Sequence, residues 1–189
     1  MKYVTSDSHL FHENVIKYMH RPFKDLDEMA DSFVREWNSI VNYEDTVYHL
    51  GDFALGTDLD RIKQVLVSLT GKIILVTGNH DTPNKIQFYS QFSNIKVTGG
   101  VNIDGYLLTH FPVHPYLLEE VTTRSGDLKD TYNIHGHNHR NSIEDPRYFN
   151  MCWDVRDKDD GRHILSLTEV KERIQKQMAD WTQSAGGTE

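Results

Sequence analysis

Cysteine is almost absent from this chain. Cys152 is the single one, so an internal disulfide is impossible and a disulfide-stapled scaffold is excluded. Long apolar runs are missing as well. No stretch approaches the roughly 18 consecutive apolar residues that a membrane span requires. Positive charge is in deficit: Lys and Arg number 20 against 28 Asp and Glu, for a formal net charge of -8. Nonspecific binding to duplex nucleic acid depends on clustered Lys and Arg, so nucleic acid is an unexpected partner, with only a small local basic patch left open.

What is present fits an ordinary globular protein. Apolar residues make up 38% and charged residues 25% of 189 positions, enough to bury a real core in one domain spanning 1–189. The chain opens Met1-Lys2-Tyr3-Val4 and reaches Asp7 almost at once. That leaves no room for a signal peptide ahead of Asp7 and makes a cytoplasmic location, with no membrane partner, the expectation. Histidine is abundant, at 11 residues.

The pattern of apolar residues predicts alternating strands and helices in the first half. Residues 2–6, 46–50 and 72–77 read as strands, the last a continuous apolar run buried on both faces. Helices are predicted at 14–19, after the acidic cap at Asp25 (Met29, Phe33, Trp37, Ile40 and Val41 at helical spacing), after Asp58, and at 84–92. Short strands follow at 95–97, 101–103 and 106–109, with a turn at Asp104-Gly105. Residues 111–130, punctuated by Pro and Gly, read as partly loop, and 132–135 as a strand. Two further strands are expected at 148–155 and 163–165, joined by a solvated polar turn at 156–161. Ser166-Leu167-Thr168-Glu169 opens a last helix to about Trp181, and 182–189 reads as a frayed tail. Helices between early strands and strand-rich sequence later imply a layered α/β domain.

Five short segments carry the chemistry: Asp7-Ser8-His9, Gly51-Asp52, Gly78-Asn79-His80-Asp81, His110, and Gly136-His137-Asn138-His139. Asp, Asn and His together suit divalent metals that accept mixed oxygen and nitrogen ligands. Several follow a β-rich run, where strand ends in α/β folds gather ligands. In Asp7-x-His9 and His137-x-His139, alternate residues of an extended segment would project to one side. Gly51, Gly78 and Gly136 stand just before ligand segments, where tight turns and close backbone approach are easiest.

The order of these segments resembles the calcineurin-like metallophosphoesterases, over roughly residues 2–140, and in particular their small bacterial and phage members. The resemblance implies an αββα sandwich: two mixed sheets packed together and flanked by helices, with metals at one end. It implies a dinuclear centre, with Mn favoured among Mn, Fe, Ni and Zn. Asp7, His9 and His139 would bind one ion, Asp52 would bridge, and Asn79, His110 and His137 would complete the second. Paired ions about 3.5–4 Å apart generate a hydroxide from a shared water at neutral pH, so no protein nucleophile is needed. His80 would protonate the leaving oxygen, and Asp81 would hold its imidazole and favour the protonated form. His12 and Arg21 would line the phosphate pocket. The implied activity is hydrolysis of a phosphate mono- or diester of a small molecule, with nucleotides and cyclic nucleotides as candidates. The alternatives are a nuclease of the same superfamily and a metal-bound scaffold without activity. His114 and Arg140 are further pocket candidates, whereas His20, His49 and His163 read as surface or packing residues and Cys152 lies outside every motif.

Overall fold

The two faces of the first three strands bury into two different cores, and that division sets the architecture. A computed structural model describes residues 1–119 and 131–185. Its strands are β1 (Lys2–Thr5), β2 (Thr46–His49), β3 (Lys72–Val76), β4 (Ile95–Thr98), β5 (Val101–Ile103), β6 (Tyr106–Thr109), β7 (Tyr132–His135), β8 (Tyr148–Asn150) and β9 (Leu165–Ser166). Its helices include α1 (Glu13–Met19), α2 (Leu26–Ile40), α3 (Leu59–Ser68), α4 (Pro83–Tyr89), α5 (Trp153–Asp159) and α6 (Leu167–Ala185), and 115–119 is helical as well. One sheet runs β4-β3-β2-β1-β9 and the other β5-β6-β7-β8. β9 is antiparallel to β1 and β5 to β6, while the remaining pairs are parallel, so both sheets are mixed.

Strand residues alternate between the two cores. Tyr3, Val47, Ile73 and Leu75 pack with Phe33, Trp37, Ile62 and Leu66 of α2 and α3. Val4, Tyr48 and Val76 instead meet Leu108, Ile134 and Phe149 of the second sheet, joined by Val170 and Ile174 of α6. A strand with apolar residues on both sides is what a sheet covered on both faces demands. The helices follow from their own patterns. Asp25 caps α2, its side chain accepting from the Glu28 amide, and Asp58 caps α3 through the Asp60 and Arg61 amides. The two mixed sheets flanked by helices are the fold expected from the sequence. Among the described residues, no helix is long and apolar enough to cross a membrane.

The C-terminal region departs from expectation. Residues 153–155 were expected to continue a strand and 156–161 to form a polar turn, yet 153–159 is the helix α5. Tertiary burial overrides the strand-like pattern: Trp153 and Asp154 are both almost fully buried. Asp160 does lie exposed in a turn, where it pairs with Arg162 and Arg173. The last helix continues to Ala185 rather than ending near Trp181, so only 186–189 of the expected tail, and 120–130 of the expected loop, lie outside the described residues.

Candidate metal centre

Parallel strands β1, β2, β3, β6 and β7 each run directly into a segment singled out in the sequence. Asp7 follows β1, Asp52 follows β2, Asn79 and His80 follow β3, His110 follows β6, and His137 and His139 follow β7. The hydrogen bonding of the strands continues past their ends. The Asp7, His9 and Leu10 amides donate to the Gly51, Asp52 and Phe53 carbonyls at 3.0–3.1 Å, and the Gly136 amide donates to His110 O at 2.9 Å. The two sheets meet where the His137 amide donates to the Asp7 carboxylate at 3.1 Å.

The segments that carry these candidates are not extended. Asp7, His9, Asp52, His137 and His139 all have positive φ, between 46° and 67°. Convergence therefore arises from left-handed turns rather than from β alternation, a correction to the sequence argument. Non-glycine residues sit there only when the surroundings hold them. Here neighbouring strands and packed glycines do so. A Cβ at Gly51 would lie 2.7 Å from His110 Nδ1 and the Gly78 amide nitrogen, and one at Gly136 would overlap Ser6 Oγ and Asp7 Oδ2.

The side chains form one cluster. Asp7, His9 and His139 offer ligand atoms within 4.8 Å of one another, as do Asp7, Asp52 and His110. Asp52 Oδ2 lies 3.7 Å from His9 Nε2, 3.5 Å from His110 Nε2 and 3.9 Å from His80 Nε2, while its Oδ1 accepts from the His80 amide at 2.8 Å. His110 Nδ1 meets the Leu50 carbonyl at 2.8 Å, so this nitrogen carries the hydrogen. Its Nε2 lone pair then faces Asn79 Oδ1 at 2.9 Å. His137 Nδ1 lies 2.9 Å from the same oxygen. His9 is buried, and neither of its ring nitrogens has a hydrogen-bond partner. Lone pairs directed at oxygens, and a buried imidazole without partners, are the donor set of a divalent cation, so the residues fit metal.

Several supporting residues were not singled out in the sequence. Asp154 Oδ2 lies 2.7 Å from His139 Nδ1. Burial would raise the Asp154 pKa, but the His139 and Arg21 hydrogen bonds hold it down to about 2. Asp154 raises the His139 pKa in turn. Ser6 Oγ donates to Asp7 Oδ2 at 2.5 Å, and the Cys152 thiol lies 3.1 Å from the same oxygen. Burial and the Asp7 charge push that thiol pKa well up, in keeping with a protonated thiol that donates to Asp7. Lys85 is buried, donating to the Ala54 carbonyl at 2.6 Å. The signal for Asp154 was an acid inside the apolar stretch Met151 to Val155.

Arg21 and Asp81 depart from their expected roles. The Arg21 side chain is 0% exposed. Its guanidinium is committed to the Asp154 carboxylate and to the Asp7 and Ser8 carbonyls, so no fork is left for a phosphate. Asp81 does not touch the His80 imidazole. Its Oδ2 accepts from the Asp52 amide at 2.8 Å and the Gly78 amide at 2.9 Å, which ties two ligand loops together, and burial raises its pKa. Arg140 donates to the Met19 carbonyl. His12 does lie at the site, its ring centroid 6.1 Å from that of His9. Burial, then neighbouring positive charge, lowers its pKa. His114 is exposed and accepts from the Tyr116 amide at 3.3 Å. His49 and His163 are buried packing residues, His163 stacked 3.7 Å from the Trp153 ring, and His20 is exposed.

With this geometry in place, comparison with known proteins supplies the class. Residues 2–153 match the calcineurin-like phosphoesterase superfamily domain, and the chain belongs to that superfamily of metal-dependent phosphoesterases. It is 33% identical to the uncharacterized protein MJ1445 of Methanocaldococcus jannaschii over 149 residues, covering 78% of this chain and 74% of that protein. It is 26% identical to the gene 66 protein of Mycobacterium phage L5 over 157 residues, 71% of this chain and 75% of the phage protein. Its fold matches the crystal structure of AQ665, a protein of unknown function from Aquifex aeolicus, with a TM-score of 0.66 and 25% identity, over 91% of this chain and 98% of that one.

Proposed function

We propose that this chain is a dinuclear phosphoesterase acting on a small phosphorylated molecule, either a monoester or a diester. One observation carries the reading. His110 gives its hydrogen to Leu50 and turns its bare nitrogen toward Asn79 Oδ1 at 2.9 Å and Asp52 Oδ2 at 3.5 Å, an arrangement a bound cation stabilises. Asp7, His9 and His139 would hold one ion, Asp52 both, and Asn79, His110 and His137 the other, with Mn the first choice of metal. A pair of divalent ions there supplies an acidified water and neutralises phosphate oxygens.

The protein's own residues do the rest. The His80 side chain is 43% exposed, against 26% for His139 and 1% for His110. It can reach a leaving oxygen and protonate it. Asp81 positions rather than reacts, by fixing the Asp52 and Gly78 amides. His12 shapes the rim beside His9. Neutral asparagine in place of another carboxylate limits negative charge where an anionic substrate must enter. The formal net charge of -8 favours a compact substrate over long duplex nucleic acid.

The test is a screen of the Mn-reconstituted protein against phosphomonoesters, phosphodiesters and cyclic nucleotides. Metal-dependent hydrolysis of at least one class is expected. Bound metal without turnover on any class, after loading with Mn, Fe, Ni or Zn in turn, would replace the enzyme reading with that of a scaffold.

A further inference from the structure

Arg21, committed away from the substrate pocket, forms one buried unit with Asp154. Arg21 Nε donates to Asp154 Oδ1 at 2.9 Å and Nη2 to Oδ2 at 3.1 Å. The same guanidinium donates to the Ser8 carbonyl at 2.6 Å and the Asp7 carbonyl at 2.9 Å. Asp154 Oδ2 also takes the His139 Nδ1 hydrogen at 2.7 Å. Arg21 and Asp154 side chains are both 0% exposed. The family match ends at residue 153, one position short of Asp154.

We propose that Arg21 and Asp154 form a positioning clamp that sets how tightly and in what geometry the metal centre holds its ion. This rests on the dinuclear reading above. One end of the clamp grips the left-handed turn after β1 through two carbonyls. The other end grips the His139 ring after β7. The clamp therefore spans both sheets and joins two ligand segments that no strand pairing connects. Its effect on His139 is chemical as well as steric. A carboxylate on Nδ1 fixes the tautomer that leaves Nε2 bare toward Asp7 and His9, and it makes that nitrogen a stronger donor. Its effect on Asp7 is mechanical. Asp7 has φ 55°, a strained conformation, and a guanidinium on its carbonyl opposes relaxation of that turn. Neither residue touches substrate.

The test uses Mn²⁺ alone as the first probe, titrated calorimetrically into metal-stripped protein. Asp154→Asn, checked by circular dichroism for its fold, should bind Mn²⁺ about 10- to 100-fold more weakly. Loaded with Co²⁺ instead, it should show altered visible absorption, because the His139 ring is no longer aimed. With p-nitrophenyl phosphate and bis(p-nitrophenyl) phosphate at matched metal occupancy, kcat should fall while KM holds. Wild-type Mn²⁺ affinity and Co²⁺ spectrum in folded Asp154→Asn would overturn the clamp and leave the dinuclear reading standing. So would intact metal binding with a raised KM, which would point to substrate binding instead. A wild-type protein that binds no Mn²⁺ would remove the dinuclear reading, and the clamp with it. Should Asp154→Asn fail to fold, Arg21→Lys takes its place, since it keeps a cation beside Asp154 but cannot fork. Weaker Mn²⁺ binding supports the clamp, and unchanged binding overturns it.

Discussion

The Asp52 carboxylate fills the space that a side chain at Gly78 would need. A Cβ on Gly78 would stand 2.6 Å from the Asp52 amide nitrogen and overlap the Asp52 Oδ1. The close approach is fixed from both sides, because Asp81 Oδ2 accepts from the Gly78 and Asp52 amides together. Gly78→Ala should therefore push the two loops apart and displace Asp52. Mn²⁺ affinity, measured by calorimetry, should fall roughly tenfold or more. Gly99→Ala is the control, since a Cβ there meets nothing within 4 Å. Equal affinity in the two variants would show that the loops part without consequence.

Asp52 is also the residue expected to touch both ions. Elemental analysis after Mn reconstitution should give about two ions per chain. Asp52→Asn leaves cation repulsion uncompensated and should lose metal and turnover together. Full occupancy with near-normal turnover in this variant would mean that Asp52 is not the bridge.

His80 makes a different prediction because it is not counted among the ligands. His80→Ala should keep its metal and lose about 10²–10⁴-fold in turnover on substrates with poor leaving groups. The loss should shrink for p-nitrophenolate, which leaves without protonation. A uniform loss across leaving groups would remove the general-acid role.

Asp154 predicts an acid dependence of stability. Burial works against its ionised form, but His139 and Arg21 lower its pKa from 3.8 to about 2. A carboxylate with a depressed folded pKa stabilises the fold above its unfolded pKa, and that stabilisation is lost as pH falls through the folded value. The drop corresponds to roughly 2 kcal/mol. In urea titrations of metal-free protein, the stability gap between wild type and Asp154→Asn should narrow by about that amount between about pH 6 and pH 2. A gap independent of pH would show that the Asp154 pKa is not depressed.

The candidate site was legible where a metal-binding residue type directly followed a β-rich run. Asp7, Asp52, Asn79, His110 and His137 are of this kind, and strand order then brought them together. What was not legible lay in long-range complementarity. Arg21 and Asp154 are 133 positions apart, and nothing near either names the other. Arg21 was misassigned because a guanidinium fork fits a carboxylate as well as it fits a phosphate. Asp154 went unnoticed because Tyr148 to Val155 carries a strand-like pattern, and only burial turns 153–159 into a helix. Asp81 follows His80 in sequence, yet its carboxylate points to amides. The left-handed turns were equally hidden, since no glycine marks the ligand positions themselves.

Those turns bear on any attempt to make the protein hardier. Asp7, His9, Asp52, His137 and His139 each occupy a conformation that glycine adopts freely and that costs other residues roughly 1 kcal/mol or more. A designer ranking positions by backbone comfort alone would place these five among the candidates for glycine, beside Phe11, His20 and Asp104, and each of the five replacements would delete a group proposed to hold metal. Thermal tolerance gained there would be traded directly against ion retention. Safer gains lie at distant surface sites such as Val67, exposed on α3.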